Sequence, residues 1–351
     1  MLQFLLDAYG LKNDHVIIES FGSGLINNTW TVKDGDKKFI LQRINDKVFK
    51  EPEAIAANIE LIAAYLEKTH PSYDFVEPVA AIDGNTLVYK EGEGYFRMFP
   101  FVKDSHTIDV VETPQQAYEA ASQFGRFTKV LDGIDVNKLN ITIPHFHDLF
   151  LRYQQFQAAL ENGNQSRKNE AASLIDELLN NSFIVDEYQR IVTDKNFIKR
   201  VTHHDTKISN VLFDTKDKGI CVIDLDTVMP GYFISDVGDM MRTYLSPVSE
   251  EEQDVDKIKI REDFYEAVVN GYYNEMKEVL TEKEKEYFFY AGAFMIYMQA
   301  LRFATDFLNN DIYYGERYPG HNLVRATNQS VLLQRLIEKK NVLANILKVE
   351  N

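Results

Sequence analysis

Cysteine is nearly absent. The 351-residue chain has one, Cys221, which excludes an internal disulfide framework and any site built on several thiolates. Such usage suits a reducing compartment, and we expect a cytoplasmic protein. Positive charge is scarce too: 38 Lys and Arg stand against 54 Asp and Glu, a formal net charge of −16. That balance argues against a bulk electrostatic role on nucleic acid or an anionic membrane. No apolar run reaches the ~20 residues a membrane span needs; the most apolar stretch, 287–297, runs on into Gln299 and Arg302 and reads as a buried helix. Residues 1–14 lack a cationic leader and read as a short amphipathic helix rather than a signal peptide. There is no internal repeat, no low-complexity tract and no G-x-x-x-x-G-K-[ST], so a Walker-type ATPase is excluded.

What is present describes an ordinary globular protein, with 45% hydrophobic and 12% aromatic residues and length enough for two lobes. Strands are predicted over 15–21, 29–33, 37–43, 86–90 and 95–101. A helix opens at Glu51-Pro52-Glu53 and runs to about Leu66, with Pro and acids placed where a helix start favours them. After Pro100 the pattern turns helical: from Thr113-Pro114, then over 146–161, 169–191, 260–279, 282–308 and 322–348. The expected fold class is α+β with two lobes, residues 1–102 forming a small β-rich lobe and 103–351 a larger, mostly helical one.

The exception in the helical part carries the chemistry. In 201–228, Val211–Phe213 and Ile220–Ile223 are apolar runs around a turn-forming stretch, Asp214–Gly219. If Phe213 pairs with Ile220, Asn210 lies beside Ile223 and Asp224 at the open end of a hairpin, and opposed residues there sit about 5 Å apart. Asp205 is five residues before Asn210. An amide oxygen and two carboxylates are hard ligands suited to Mg2+, and phosphoryl transfer from ATP also needs a carboxylate to take the proton of the attacking hydroxyl. His203 then reads as an orienting residue. Two alternatives remain: these acids cap turns, or His203-His204-Asp205 hold zinc or iron, although further ligands at recognisable spacing are lacking.

H-x-D-x-x-x-x-N (His203, Asp205, Asn210) followed by a hairpin ending in Ile223-Asp224 resembles the catalytic and metal loops of the protein-kinase-like fold, in the form of the aminoglycoside phosphotransferase and choline kinase family. The resemblance implies Asp205 as catalytic base, Asn210 and Asp224 as magnesium ligands, and Lys207 near the γ-phosphate. It implies a phosphate-covering loop at Gly22-Ser23-Gly24 continuing to Asn28 and Thr29, although the third glycine of the kinase pattern is missing. Backbone groups near Phe99–Val102 would meet adenine. The strand position that carries a phosphate-contacting lysine in kinases holds Gln42, with Arg43 next to it, and Glu53 and Glu60 are candidates for the glutamate that pairs with such a lysine. Asp236 and Asp239 are expected to cap a helix over 240–245 or to tie its start to the catalytic loop.

Phe39–Asn45 (FILQRIN), Arg97–Val102 (RMFPFV), Asp205–Asp214 (DTKISNVLFD) and Asp224–Gly231 (DLDTVMPG) resemble a narrower group, the N-acetylhexosamine 1-kinases. That implies ATP and Mg2+ as cofactors and a small-molecule sugar acceptor, phosphorylated at its anomeric hydroxyl. Asp226, Tyr244, Arg302 and Tyr313 are the acceptor candidates. Arg302 in an apolar helix needs a partner or a ligand, and Asp306, four residues on, is the internal alternative. Kinases of aminoglycosides, choline or homoserine, and a non-catalytic nucleotide-binding pseudokinase, are competing readings.

Overall fold

The computed structural model describes residues 2–11, 16–22 and 26–346. The N-terminal part holds α1 (Leu2–Ala8), β1 (Val16–Ser20), β2 (Asn28–Asp34), β3 (Lys37–Arg43), α2 (Pro52–Thr69), β4 (Val88–Lys90) and β5 (Gly94–Pro100). The strands form one antiparallel sheet in the order β1-β2-β3-β5-β4. Alternation divides its faces. Val32, Leu41, Phe96 and Met98 point to one side and bury against Leu5 of α1. Thr29, Ile40, Gln42 and Phe99 point to the other, where a cavity lies.

α2 belongs to both halves. Its start carries Pro52 in the first turn, and Ile55, Ile59, Ile62 and Leu66 form a helical stripe. That stripe joins the apolar core of the C-terminal part, not the core of the sheet. Asn58, on the same buried face, donates to the carbonyls of Asn140 and Val228 and accepts from the Asn140 N–H.

The C-terminal part begins with α3 (Pro114–Val130), whose start is closed by a capping box between Thr113 and Gln116. Next come α4 (Leu149–Asn162), α5 (Gln165–Glu170), α6 (Ala172–Asn180) and α7 (Phe183–Thr193). The short strands β6 (Arg200–Thr202), β7 (Val211–Phe213), β8 (Gly219–Val222) and β9 (Met229–Gly231) then pair as β6-β9 and β7-β8. α8 (Phe233–Tyr244), α9 (Glu262–Met276), α10 (Glu282–Lys285), α11 (Phe288–Leu308), α12 (His321–Glu338) and α13 (Lys340–Leu343) complete the chain. α11 is the central helix, buried along most of its length. Among the described residues no helix is long and apolar enough to cross a membrane.

Several predicted helices are divided. The stretch 169–191 breaks at Ala171 and at Asn181-Ser182, where the Asn181 side chain bonds the Glu177 carbonyl and competes with the helix ladder. The stretch 282–308 breaks after one turn because Glu284 is drawn away, accepting from the Arg200 guanidinium and the Ile198 N–H. The helix expected over 240–245 starts seven residues earlier, at Phe233, so Asp236 and Asp239 lie inside it. In the hairpin the register shifts at Leu212/Phe213, so Phe213 pairs with Gly219 rather than Ile220.

Candidate active site

The loop from His203 to Asn210 is held from below by α8. Asp236 accepts the His203 and His204 N–H groups, at 3.0 and 2.7 Å. Asp239 accepts the Thr206 N–H at 2.8 Å, and the Tyr244 hydroxyl donates to the Thr206 carbonyl at 2.7 Å. Burial pushes Asp236 up to about 6 against the lowering effect of its two donors. His203 is fully buried, with Nε2 2.9 Å from the Ile223 carbonyl and its ring edge on Phe124, an orienting role. His204 turns away, between Thr202 and His147. The zinc or iron alternative finds no support: His203, His204 and Asp205 do not converge, nor does any group of three or more His, Cys, Asp or Glu among the described residues.

Asp205, Asn210 and Asp224 meet at the floor of the cleft. Asn210 Nδ2 donates to the Asp205 carbonyl at 2.8 Å and to Asp205 Oδ2 at 3.0 Å. The Ile223 N–H donates to the Asn210 carbonyl, which sets Asn210 beside Asp224 as the hairpin argument requires. Lys207 Nζ lies 3.1 Å from Asp205 Oδ2; burial lowers its pKa, but Asp205, Asp224 and Asp239 outweigh that and raise it. Asp205 Oδ1 has no hydrogen bond or ion pair among the described residues. Asp224 adopts the left-handed conformation at φ 61°. Its carboxylate is exposed to the cleft; loss of solvation among the surrounding groups, then the charges of Asp226 and Asp205, pushes it up to about 7. Neither Asn210 Oδ1 nor the Asp224 carboxylate takes a hydrogen bond from the described residues. Two unsatisfied hard oxygens at one point are the donor set a small divalent cation takes, leaving positions for water and phosphate.

Above them lies a cavity of about 220 Å3 bounded by Phe21, Thr29, Ile40, Gln42, Phe99, Val102, Leu212 and Leu225. The Val102 N–H has no partner among the described residues, so the edge of a flat heterocycle can reach it. Gly22 is left-handed at φ 75°; Ser23 and Gly24 lie outside the described residues. Two expectations for this side fail on strand parity. Asn28 and Arg43 pair with each other, one residue out of phase with Thr29 and Gln42, and so face away from the cleft; Arg43 lies over Gly94 beside Asp46. The cation at this place is Arg97, directly opposite Gln42. Glu53 and Glu60 also miss the cleft, being bound at the surface to Tyr95 and Thr86.

The acceptor candidates separate. Asp226 is 1% exposed, paired with Arg97 and bound by Asn27 Nδ2 at 2.7 Å, so it is closed to an acceptor. Tyr244 is also buried, its hydroxyl spent on Thr206. Arg302 and Tyr313 share a second cavity of about 840 Å3 between α4 and α11, with Arg152, Gln155, Thr305 and Tyr314. Arg302 does not pair with Asp306, which is taken by the Tyr313 and Tyr314 N–H groups and by Asn322. It bonds Gln299 and lies over the Phe146 and Tyr314 rings. Arg97 stood in the sequence only as the start of the RMFPFV segment, with no role attached, and strand parity could have placed it; Asn27 and Arg152 had no assigned role.

A five-stranded sheet over a helical lobe, with a cleft whose floor carries an Asp, an Asn and a second Asp, defines the two-lobed protein-kinase-like fold. The model of the phosphotransferase enzyme family (APH) matches residues 17–278, and the chain belongs to that family. It is thus a small-molecule phosphotransferase. Among solved structures, a microcompartment-associated aminopropanol kinase is 17% identical with a TM-score of 0.65, covering 97% of this chain and 98% of that one. An aminoglycoside phosphotransferase from Alicyclobacillus acidocaldarius is 12% identical, TM-score 0.63, covering 97% and 96%. The amicoumacin kinase hAmiN, solved with AMP-PNP and Ca2+, is 12% identical, TM-score 0.61, covering 95% and 92%. At these identities the likeness is one of fold.

Proposed function

We propose that this phosphotransferase uses ATP and Mg2+ to phosphorylate the anomeric hydroxyl of an N-acetylhexosamine such as GlcNAc or GalNAc, in the cytoplasm. Residues 1–102 act as the nucleotide-binding lobe and 103–351 carry the catalytic and acceptor groups. The observation that supports the reading is the meeting of Asp205, Asn210 and Asp224 beneath the inter-lobe cavity. Asp205 Oδ1 takes the proton of the acceptor hydroxyl as its oxygen attacks the γ-phosphorus, and ADP leaves. Asn210 and Asp224 hold the divalent ion, which supplies neutralisation of phosphate charge. Lys207 orients Asp205 through the ion pair to its Oδ2.

The acceptor class rests on charge. Arg152 and Arg302 face one cavity and neither makes an ion pair with a carboxylate among the described residues. Two such guanidinium groups repel choline and the polycationic aminoglycosides, and they suit neutral hydroxyls, for which the exposed Tyr313 offers an apolar face. The test is ADP release over GlcNAc, GalNAc, neutral hexoses, choline, homoserine and kanamycin. Turnover of the hexosamines above the others is expected. Release with choline or kanamycin and none with hexosamines would replace the acceptor, and ADP binding without release for any compound would make the chain a pseudokinase. Asp205→Asn is expected to lower turnover roughly 10²–10⁴-fold with nucleotide binding retained.

A further inference from the structure

The small lobe grips the chain segment that follows Asp224 through buried polar groups. Asp226, two residues on, is clasped from two directions. Asn27, just before β2, donates to its Oδ2, and the Asn27 side-chain Oδ1 in turn accepts the Asn45 N–H. Arg97 of β5 stands against its Oδ1 at 2.5 Å, with both side chains almost wholly buried. Arg97 cannot swing, because Gln42 on the neighbouring strand accepts from its Nε at 3.1 Å and its Nη2 at 2.9 Å. The planar fork of an arginine is fixed by two donors to one acceptor, which a lysine cannot reproduce. Among the described residues neither Arg97 Nη1 nor Asp226 Oδ1 has a hydrogen-bond partner, so the close approach of the two side chains is an attraction of charges rather than a directed hydrogen bond. Among the described residues this is the ion pair that joins the small-lobe sheet to the segment carrying Asp224.

We propose that Arg97 is a positioning residue for the divalent-ion end of the cleft. Held by Gln42, it anchors Asp226 and so fixes Asp224 opposite Asn210 when the lobes are together. Its charge also lies near Asp224 and offsets the repulsion among Asp205, Asp224 and Asp226. The absence of a lysine at position 42 then has a local reason: the amide there serves as the rest on which the cation of the next strand lies. This inference depends on the assignment of Asn210 and Asp224 as the metal ligands.

The test is calorimetric titration of ADP with and without Mg2+ on the unaltered protein, Arg97→Gln and Arg97→Lys. Arg97→Lys keeps a positive charge against Asp226, so it folds even if a buried unpaired carboxylate unfolds Arg97→Gln. We expect Mg–ADP affinity to fall roughly tenfold or more in Arg97→Gln and by a smaller factor in Arg97→Lys, with metal-free ADP affinity and acceptor KM within about twofold of the unaltered protein. A merely structural role would lower both ADP affinities together. The proposal is overturned if either folded variant binds Mg–ADP as tightly as the unaltered protein, or loses metal-free ADP to the same degree. Failure of the unaltered protein to bind ADP more tightly with Mg2+ would instead remove the ligand assignment, and this inference with it.

Discussion

Tyr244 shows how a side chain suited to one task is set to another. A tyrosine near a sugar cleft is a natural acceptor contact, but this hydroxyl donates to the Thr206 carbonyl one residue beyond Asp205. Tyr244→Phe removes one buried hydrogen bond, about 1 kcal/mol. If the lost order is felt at the transition state, turnover falls by roughly fivefold while acceptor KM stays unchanged. Steady-state kinetics separate the cases, since an acceptor contact would raise KM instead. Asp205, Asn210 and Asp224 were legible in the sequence because they lie within twenty positions and a local hairpin brings them together. Arg97 with Asp226, and Tyr244 with Thr206, were not. Their meeting depends on the register between β3 and β5 and on the rotation of α8, which no short-range pattern encodes. Arg43 was expected on the cleft side beside Gln42, and it misses that place by parity: one step along a strand moves a side chain to the other face.

At the level of elements, α8 links the site to the core. Asp236 and Asp239 look into the catalytic loop, and the helix lies against α11. That contact is close enough that a Cβ on Gly238 would fall 2.3 Å from the Ala291 carbonyl oxygen and 2.9 Å from Met295 Cβ. The obstacle is backbone, which cannot turn aside as a side chain can. Gly238→Ala must therefore push α8 off α11, at about 1–3 kcal/mol. It is expected to lower both the unfolding midpoint and turnover, because the loop rides on the displaced helix. Denaturant melts with parallel kinetics test this, and full activity in a destabilised Gly238→Ala protein would show that loop and helix contact are independent. The existence of nearly every helix was readable from apolar spacing. Their breaks were not, since Asn181 ends α6 through its own side chain and α10 is pinned by a distant arginine on β6.

Across the whole molecule, titration ties stability to the loop behind the site. His204 is 5% exposed, with Nε2 2.8 Å from Thr202 Oγ1 and Nδ1 3.3 Å from His147 Nδ1. It is packed so closely that a Cβ on Gly231 would lie 2.5 Å from its Cε1. Burial first, and the neighbouring His203 second, depress its pKa to about 3, and burial with the charge of His204 likewise holds His147 well below its usual value. In the unfolded chain each histidine titrates near 6.5. Between the two values the unfolded state binds more protons, so stability is complete above about 6.5 and is lost as pH falls toward 3. Asp236 and Asp224, whose folded values are raised, oppose this below pH 6 and 7 respectively, because the folded state binds their protons first. The sum of these effects is not assignable to one residue, so the difference between two proteins is the useful measure. His204→Gln retains a polar side chain between Thr202 and His147 and removes the titration. Its unfolding midpoint is expected to fall less steeply than that of the unaltered protein from pH 6.5 to 4. Parallel curves over that window would mean that His204 takes up its proton without unfolding the segment that carries Asp205.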